Sequence, residues 1–183
     1  MTSLPRAAVL ATLLVAATGA AGEMSGPTAR LELWRHERLQ DTRATEGATL
    51  APFTTDGCSG GMSAVWQQVA RWFPEFGAAH EQAPPWEACC VTHDRAYHLG
   101  GPDPAPMASY QARLAADRAL RACVVETGVT RSAELQLRYG MSAAQVERAY
   151  EQFGQAMFSA VRLGGAPCSG LPWRWGYGWA QCF

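Results

Sequence analysis

The chain has 183 residues, enough for one domain or at most two small ones. Hydrophobic residues make up 48% and charged residues 17%, which is a globular and not a disordered composition. The 15 basic and 16 acidic side chains leave a net charge of −1, which argues against a nucleic-acid-binding protein. No apolar run reaches the roughly 18 residues of a membrane-spanning helix, which argues against a polytopic membrane protein.

The first 22 residues have the order typical of a secretory signal peptide. A single basic residue, Arg6, precedes an apolar run from Ala7 to Ala17, and five small residues follow. We expect cleavage between Ala20 and Glu23 and a secreted protein, either extracellular or periplasmic. An uncleaved anchor or a buried helix is the alternative interpretation of this segment.

The six cysteines all follow the predicted signal peptide, at positions 58, 89, 90, 123, 168 and 182. In an oxidising compartment, an even number of cysteines most simply forms disulfides, here three. Fifteen pairings are possible, and the spacing of the cysteines along the chain does not choose among them.

The region before the first cysteine is the least informative part of the mature chain. Residues 23–55 form an N-terminal segment of unknown role, in which the amphipathic stretch Arg30–Asp41 predicts a helix. A tight loop with three glycines follows at 55–61, and Met62–Phe73 has apolar residues at helical spacing up to Pro74.

Three further helices are predicted after this loop. Trp86–Leu99 follows two prolines and stops at two glycines, and Met107–Glu126 is the longest run of good helix formers. The capping box that Ser142 begins opens a third helix, whose apolar stripe continues to Val161. No alternation of period two occurs before residue 173, so the chain is predicted to be mainly α.

The predicted helix 86–99 carries an unusual concentration of chemically active residues. At 100° per residue, Cys89, His93 and Tyr97 share one face, and Cys90 and Asp94 lie on an adjacent one. A histidine and a carboxylate therefore sit side by side on a helix that two disulfides could hold in place.

The following helix offers a possible partner for this histidine. If the two helices are antiparallel and His93 faces Asp117, Cys89 and Cys123 lie at similar heights and could form a bridge. The spacing makes this arrangement possible but does not prove it.

These residues resemble the secreted phospholipase A2 family, over positions 56–123. The sequence C-C-x-x-H-D with a tyrosine four residues after the histidine is similar to that family's active-site helix. The sequence D-R-x-x-x-x-C, from Asp117 to Cys123, resembles its second long helix. The sequence G-C-S-G-G at 57–61 resembles a shortened calcium-binding loop, and the chain is most similar to a divergent, prokaryotic-type member.

The resemblance implies a role for each matched residue. His93 would be the general base that activates water, with Asp117 orienting it and Tyr97 in support. The implied calcium ligands are the Asp94 carboxylate and the carbonyl groups of Gly57, Ser59 and Gly61. The implied disulfides are Cys58–Cys90 and Cys89–Cys123, which leave Cys168–Cys182 for the tail.

The implied activity is calcium-dependent hydrolysis of the sn-2 ester of phospholipids at a membrane interface. Its partner would be a phospholipid membrane surface, and no nucleic acid or protein partner is predicted. The expected fold is mainly α: two antiparallel, disulfide-linked helices carry the active site, with a glycine-rich calcium loop before them and further helices and an aromatic segment after them. The expected division is a signal peptide at 1–22, the segment 23–55 and a phospholipase A2-like domain at 56–183.

Three departures from the family pattern bear on this expectation. The family's second inter-helix bridge would fall at Ala96 and Ala116, where neither residue is a cysteine. Cys89 comes 31 positions after Cys58, whereas the family's loop runs almost directly into the helix. Ser59 occupies a position that is usually glycine.

Other interpretations of the same residues remain open. His93 and Asp94 could be a structural surface pair, or Cys89, Cys90, His93 and His98 could bind zinc. A third alternative is a catalytically inactive, phospholipase A2-like secreted binding protein. The remaining histidines, His36, His80 and His98, are interpreted as surface or loop residues.

The C-terminal segment is aromatic and alternating. Trp173, Trp175, Tyr177 and Trp179 would all face one side of an extended chain. Such a face could lie at a bilayer interface or could pack on the core, and packing on the core is slightly favoured.

Overall fold

A computed structural model describes residues 27–58 and 84–182 of the chain. These residues form five helices and no strand, which confirms the mainly α class: α1 (Pro27–Ala44), α2 (Glu87–Leu99), α3 (Pro106–Thr130), α4 (Ser132–Tyr139) and α5 (Ala143–Gly164). Within these two ranges, no helix combines the length and the apolar character needed to cross a membrane. The predicted signal peptide, Ser59, Gly61, the helix Met62–Phe73 and His80 lie outside the described residues.

The helix ends follow local signals that the sequence carries. Gly100 has a left-handed φ of 70° and ends α2 with a hydrogen bond from its N–H to the Ala96 carbonyl. Pro106 occupies the first turn of α3, and the capping box of Ser142 and Gln145 opens α5. Each predicted helix in the described part is therefore present, with ends shifted by at most four residues.

The short helix α4 and the last turn of α3 were not predicted. Gly128 interrupts the good helix formers after Glu126, yet it lies inside α3. A Cβ atom added to Gly128 would lie 2.5 Å from the Tyr150 side chain, so this glycine permits the close approach of α5. Packing between helices thus overrides the low helix propensity of glycine here.

Helices α2 and α3 are antiparallel, and their contacts carry the site. Cys89 pairs with Cys123, and His93 pairs with Asp117. The residue numbers of the contacts therefore rise along α2 while they fall along α3. The largest helix interface joins α3 to α5, and α1 packs on the N-terminal half of α3. The core that they share contains aromatic and aliphatic side chains, among them Leu120, Val124, Val146, Tyr150, Phe153 and Met157.

The six cysteines form three disulfides, Cys58–Cys90, Cys89–Cys123 and Cys168–Cys182. These are the pairs expected from the family resemblance and from the two cysteines that it leaves. The first attaches residues 51–58 to α2, and the second joins α2 to α3. The third links the two ends of the C-terminal segment 168–182. A small cavity of about 130 Å³ between α2 and α3 is lined by residues that include Ala96 and Ala116, the two alanines at which the sequence departs from the pattern it resembles.

The aromatic tail is folded into turns and is not extended. Glycine N–H groups bond it to the end of α2, from Gly176 to the Tyr97 carbonyl at 2.6 Å and from Gly178 to the His98 carbonyl at 3.1 Å. Trp175 is 1% exposed and its Nε1–H donates to Ser109 Oγ at 3.0 Å. The expectation that all four rings share one extended face is wrong, and core packing is confirmed for Trp175.

Two of the histidines interpreted as surface or loop residues are buried. His36 Nδ1 lies 2.8 Å from Ser109 Oγ, and His98 Nε2 lies 2.8 Å from the Ala51 carbonyl oxygen. Each histidine faces a neighbouring segment that its helix packs against, and a single buried hydrogen bond satisfies the engaged ring nitrogen. Their isolated positions in the sequence gave no sign of this packing.

The Cys89–Cys123 disulfide predicts a measurable contribution to stability. It closes a segment with a sequence separation of 34, so replacing both cysteines by serine should lower the free energy of unfolding by about 4 kcal/mol. The Cys168–Cys182 pair, with a separation of 14, is the matched control and should cost about 3 kcal/mol. Urea unfolding measures both, and an unchanged unfolding midpoint for the first pair would contradict this expectation.

Candidate active site

A buried histidine–carboxylate pair lies between α2 and α3. His93 Nε2 is 2.9 Å from Asp117 Oδ1, and Asp117 is completely buried while His93 is 7% exposed. A carboxylate only accepts hydrogen bonds, so Nε2 carries the ring proton and donates a hydrogen bond to Asp117. Because the neutral ring holds a single proton, Nδ1 is then left as a proton acceptor.

The side of the ring that carries Nδ1 is next to Asp94. His93 Nδ1 lies 3.9 Å from Asp94 Oδ1, and both residues line one cavity of about 330 Å³. The interpretation of His93 and Asp94 as a surface pair is wrong, because the hydrogen-bond partner of His93 is Asp117. The two carboxylates therefore flank opposite nitrogens of a single ring.

The surroundings of His93 favour its protonated form. Burial lowers the pKa of His93, but the hydrogen bond to Asp117 and the negative charges of Asp117 and Asp94 outweigh burial and raise the pKa above its ordinary value of 6.5. A histidine with a raised pKa is a stronger base than a free imidazole, which favours taking a proton from water.

Tyr97 supports the pair from the same face of α2, four residues after His93. Its hydroxyl donates to Asp117 Oδ1 at 2.7 Å, and Arg113 Nε donates to that hydroxyl at 3.1 Å. Burial raises the pKa of Tyr97 well above 10, so the hydroxyl stays protonated and remains a donor. Asp117 Oδ1 thus accepts two hydrogen bonds, and the carboxylate plane is fixed against the imidazole.

On the other side of the cavity, Asp94 is held by the segment before Cys58. Thr55 Oγ1 donates to Asp94 Oδ2 at 2.6 Å, and the Gly57 N–H donates to Thr55 Oγ1 at 3.0 Å. Gly57 has a φ of 68°, a left-handed conformation that favours glycine, and the Cys58–Cys90 disulfide attaches this turn to α2. Asp94 and Gly57 thus line the same cavity.

Asp56 and Tyr177 also line this cavity, and the sequence analysis assigned neither of them to the site. Burial and the negative charges of Asp94 and Asp56 raise the pKa of Tyr177 to about 12. Asp56 directly precedes the glycine loop in the sequence, so the carboxylate–glycine–cysteine order could have indicated it. Tyr177 gave no such signal, because only the folding of the tail onto α2 places it there.

Asp94 and Asp56 line the cavity together with the other residues of 54–58, which carry carboxylate and peptide oxygen atoms. Oxygen donors of this kind suit calcium, which accepts carboxylates, carbonyl groups and water. Over 27–58 and 84–182, no group of three or more histidine, cysteine or acidic side chains has a metal-binding arrangement. A cation at this position would therefore need carbonyl and water ligands in addition to the carboxylates.

The zinc interpretation is wrong. Cys89 and Cys90 are both in disulfides, so neither supplies the thiolate that a zinc ligand requires. His98 is directed instead to the Ala51 carbonyl and packs edge-on against Phe53, with the ring centroids 5.5 Å apart.

Behind the pair, Asp117 belongs to a charged network that the sequence analysis missed. Arg162, in the last turn of α5, donates from Nη1 to Asp117 Oδ2 at 3.1 Å and from Nη2 to both oxygens of Glu32 at 2.8 and 2.9 Å. Arg113 also donates to Glu32 Oε1. Glu32 lies on α1, so the N-terminal segment 23–55 contributes to the surroundings of the site.

Comparisons with protein-family models, with curated proteins and with solved structures each found no match to this chain. What the site can do therefore follows from its own residues and from the geometry that they adopt.

The network makes stability depend on pH through Glu32. Burial raises the pKa of Glu32, but the contact with His36 and the charges of Arg113 and Arg162 lower it from 4.5 to about 2. A lowered carboxylate pKa stabilises the fold above pH 4.5, and this stability is lost as the pH falls from 4.5 towards 2.

We expect Glu32→Gln to remove this acid-sensitive part of the stability. The difference in unfolding free energy between the wild type and Glu32→Gln should be about 2 kcal/mol larger at pH 6 than at pH 2, allowing for partial solvent screening. Urea unfolding at the two pH values measures it. Equal differences at both pH values would contradict the assignment.

Proposed function

We propose that the protein is a secreted, calcium-dependent phospholipase A2-type hydrolase that cleaves the sn-2 ester of phospholipids. The observation that carries the proposal is the convergence of the His93–Asp117 pair and the Asp94 carboxylate on one cavity. The family resemblance predicts the same three roles from the sequence alone. The pattern of three disulfides is compatible with an oxidising, extracellular destination.

The proposed chemistry begins with a water molecule in the cavity. His93 Nδ1 takes a proton from this water as the oxygen attacks the ester carbonyl carbon. Asp117 stabilises the imidazolium that forms and keeps its ring in place through Nε2. When the tetrahedral intermediate collapses, the imidazolium returns the proton to the departing alcohol oxygen of the lysophospholipid.

The carboxylates of Asp94 and Asp56 and the backbone at Gly57 would hold the calcium ion, with Ser59 and Gly61 as further ligands implied by the resemblance. Bound calcium would supply positive charge for the phosphate group and for the oxyanion that develops at the ester. Thr55, through its 2.6 Å hydrogen bond, keeps Asp94 turned towards the turn that precedes Cys58.

The rest of the cavity suits a lipid. Val161, Pro172 and Trp173 line it together with Asp56 and Asp94, so its walls contain both apolar and acidic side chains. A phospholipid likewise combines apolar acyl carbons with an ester and a charged phosphate. Deep burial of Asp117 keeps water away from the orienting carboxylate but leaves the cavity face of His93 accessible.

His93→Gln should lower kcat by about 100-fold or more, because glutamine cannot take a proton from water. Asp117→Asn should lower kcat by a smaller factor, because it removes the orienting charge while the base, His93, remains. The measurement is fatty-acid release from phospholipid vesicles, with melting temperatures as the control for folding. Near-normal turnover of His93→Gln, or a greater loss in Asp117→Asn at equal stability, would contradict these roles.

Chelation of calcium should abolish hydrolysis, and added calcium should restore it. Magnesium should substitute poorly, because it requires a tighter octahedral shell than a carbonyl-rich turn provides. Asp94→Asn should lose calcium binding by calorimetry while keeping the wild-type far-UV spectrum.

Glu126→Gln, an exposed acidic residue on α3, is the matched control and should bind calcium as the wild type does. Full activity in chelator would overturn the calcium site. Calcium binding without any hydrolysis would instead favour the inactive binding-protein alternative.

A further inference from the structure

The Asp117 carboxylate has two oxygens with different partners. Oδ1 accepts from His93 Nε2 and from the Tyr97 hydroxyl, at 2.9 and 2.7 Å. Oδ2 accepts from Arg162 Nη1 at 3.1 Å, while Arg113 Nε lies 3.9 Å away, beyond hydrogen-bond distance. The orientation of the carboxylate about its own axis is therefore set by Arg162 on one side and by α2 on the other.

Arg162 is itself held in a fixed geometry. Its Nη2 donates to both oxygens of Glu32, at 2.8 and 2.9 Å, so the guanidinium bridges two carboxylates from different helices. The Arg162 side chain is 18% exposed and the Asp117 side chain is fully buried, which makes this contact only partly screened by water. Removing the Arg162 side chain would leave one oxygen of a buried carboxylate without its charged donor, which raises the free energy of the folded state.

The attachment of α5 to the rest of the fold does not require the Arg162 side chain. Arg113 Nη2 already donates to the backbone carbonyls of Val161 and Arg162, at 2.7 and 2.9 Å. Arg113 is completely buried and also bonds to Glu32 and Tyr97. The guanidinium of Arg162 thus has a contact with Asp117 that the packing of α5 does not explain.

We propose that Arg162 is a positioning residue, which fixes the Asp117 carboxylate so that Oδ1 stays in line with His93 Nε2. Glu32 of α1 holds Arg162 in turn. The N-terminal helix therefore supports the active site on the side of Asp117 that faces away from His93. The role in turnover rests on the proposed function, whereas the effect on the His93–Asp117 hydrogen bond does not.

The experiment compares Arg162→Gln, Arg162→Lys and a control, Arg148→Gln, which changes an exposed residue on the same helix. Arg162→Gln should lower kcat about 10-fold with little change in KM, because substrate does not touch this residue. Arg162→Lys keeps a positive donor and should recover most of the loss. Arg148→Gln should match the wild type in both kinetic constants.

A second measurement separates this proposal from the proposed hydrolase activity. The Nε2–H resonance of His93, identified by its absence in His93→Gln, should be present in the wild type, Arg148→Gln and Arg162→Lys. In Arg162→Gln it should be shifted or lost through exchange with water. Were the protein to hydrolyse no phospholipid, the proposed function would fail, and this resonance would still test the positioning role.

Two outcomes overturn the proposal. One is an unchanged Nε2–H resonance and an unchanged kcat in Arg162→Gln. The other is a loss of kcat in Arg162→Gln that comes with a lower melting temperature and an unchanged Nε2–H resonance, because that result assigns Arg162 to helix packing alone. If Arg162→Gln fails to fold, Glu32→Gln is the second test, because it removes the carboxylate that holds Arg162. The His93 Nε2–H resonance should be shifted in Glu32→Gln, and an unchanged resonance there overturns the proposal.

Discussion

The structure depends on one buried carboxylate. Asp117 is fully buried, and a charge in that position is tolerated only when it is well hydrogen-bonded and paired. Asp117 lies on α3, and its partners come from two other helices: the imidazole of His93 and the hydroxyl of Tyr97 on α2, and the guanidinium of Arg162 on α5. Satisfying this one group therefore fixes the mutual placement of α2, α3 and α5.

The disulfides set the geometry in which this pairing is possible. Cys89–Cys123 joins α2 and α3 one helical turn from His93, which fixes the register that brings the histidine to the aspartate. Cys58–Cys90 attaches the turn that contains Gly57 to the other side of the same helix, beside Asp94. Two adjacent cysteines thus link α2 in two directions, one towards the orienting carboxylate and one towards the acidic end of the cavity.

The site residues on α2 and α3 could be predicted because their spacing is local. Helical periodicity places His93, Asp94 and Tyr97 close together on α2. Antiparallel helices make a contact with Asp117 possible, and the family resemblance implies that contact. The parts that could not be predicted involve distant residues. Glu32 and Arg162 are 130 positions apart, and no periodicity relates them. The aromatic alternation of the tail suggested an extended chain, but hydrogen bonds from glycine N–H groups to the end of α2 coil it instead.

The same distant contacts explain why an N-terminal helix without recognisable motifs belongs to the site. The helix predicted at Arg30–Asp41 is present as α1, but its predicted amphipathic character is weak. Glu32 on α1 nevertheless receives donors from both Arg113 and Arg162, and those two arginines reach Tyr97 and Asp117. The charges of the two arginines and the two carboxylates sum to zero, so the cluster behind the histidine carries no net charge. Its member nearest to the ring, Asp117, favours the positive charge that forms on His93. A neutral, fully connected cluster also resists rearrangement, because moving one member leaves another buried charge without its partner. The rigidity of the pair therefore comes from α1 and α5 as much as from the two helices that carry it.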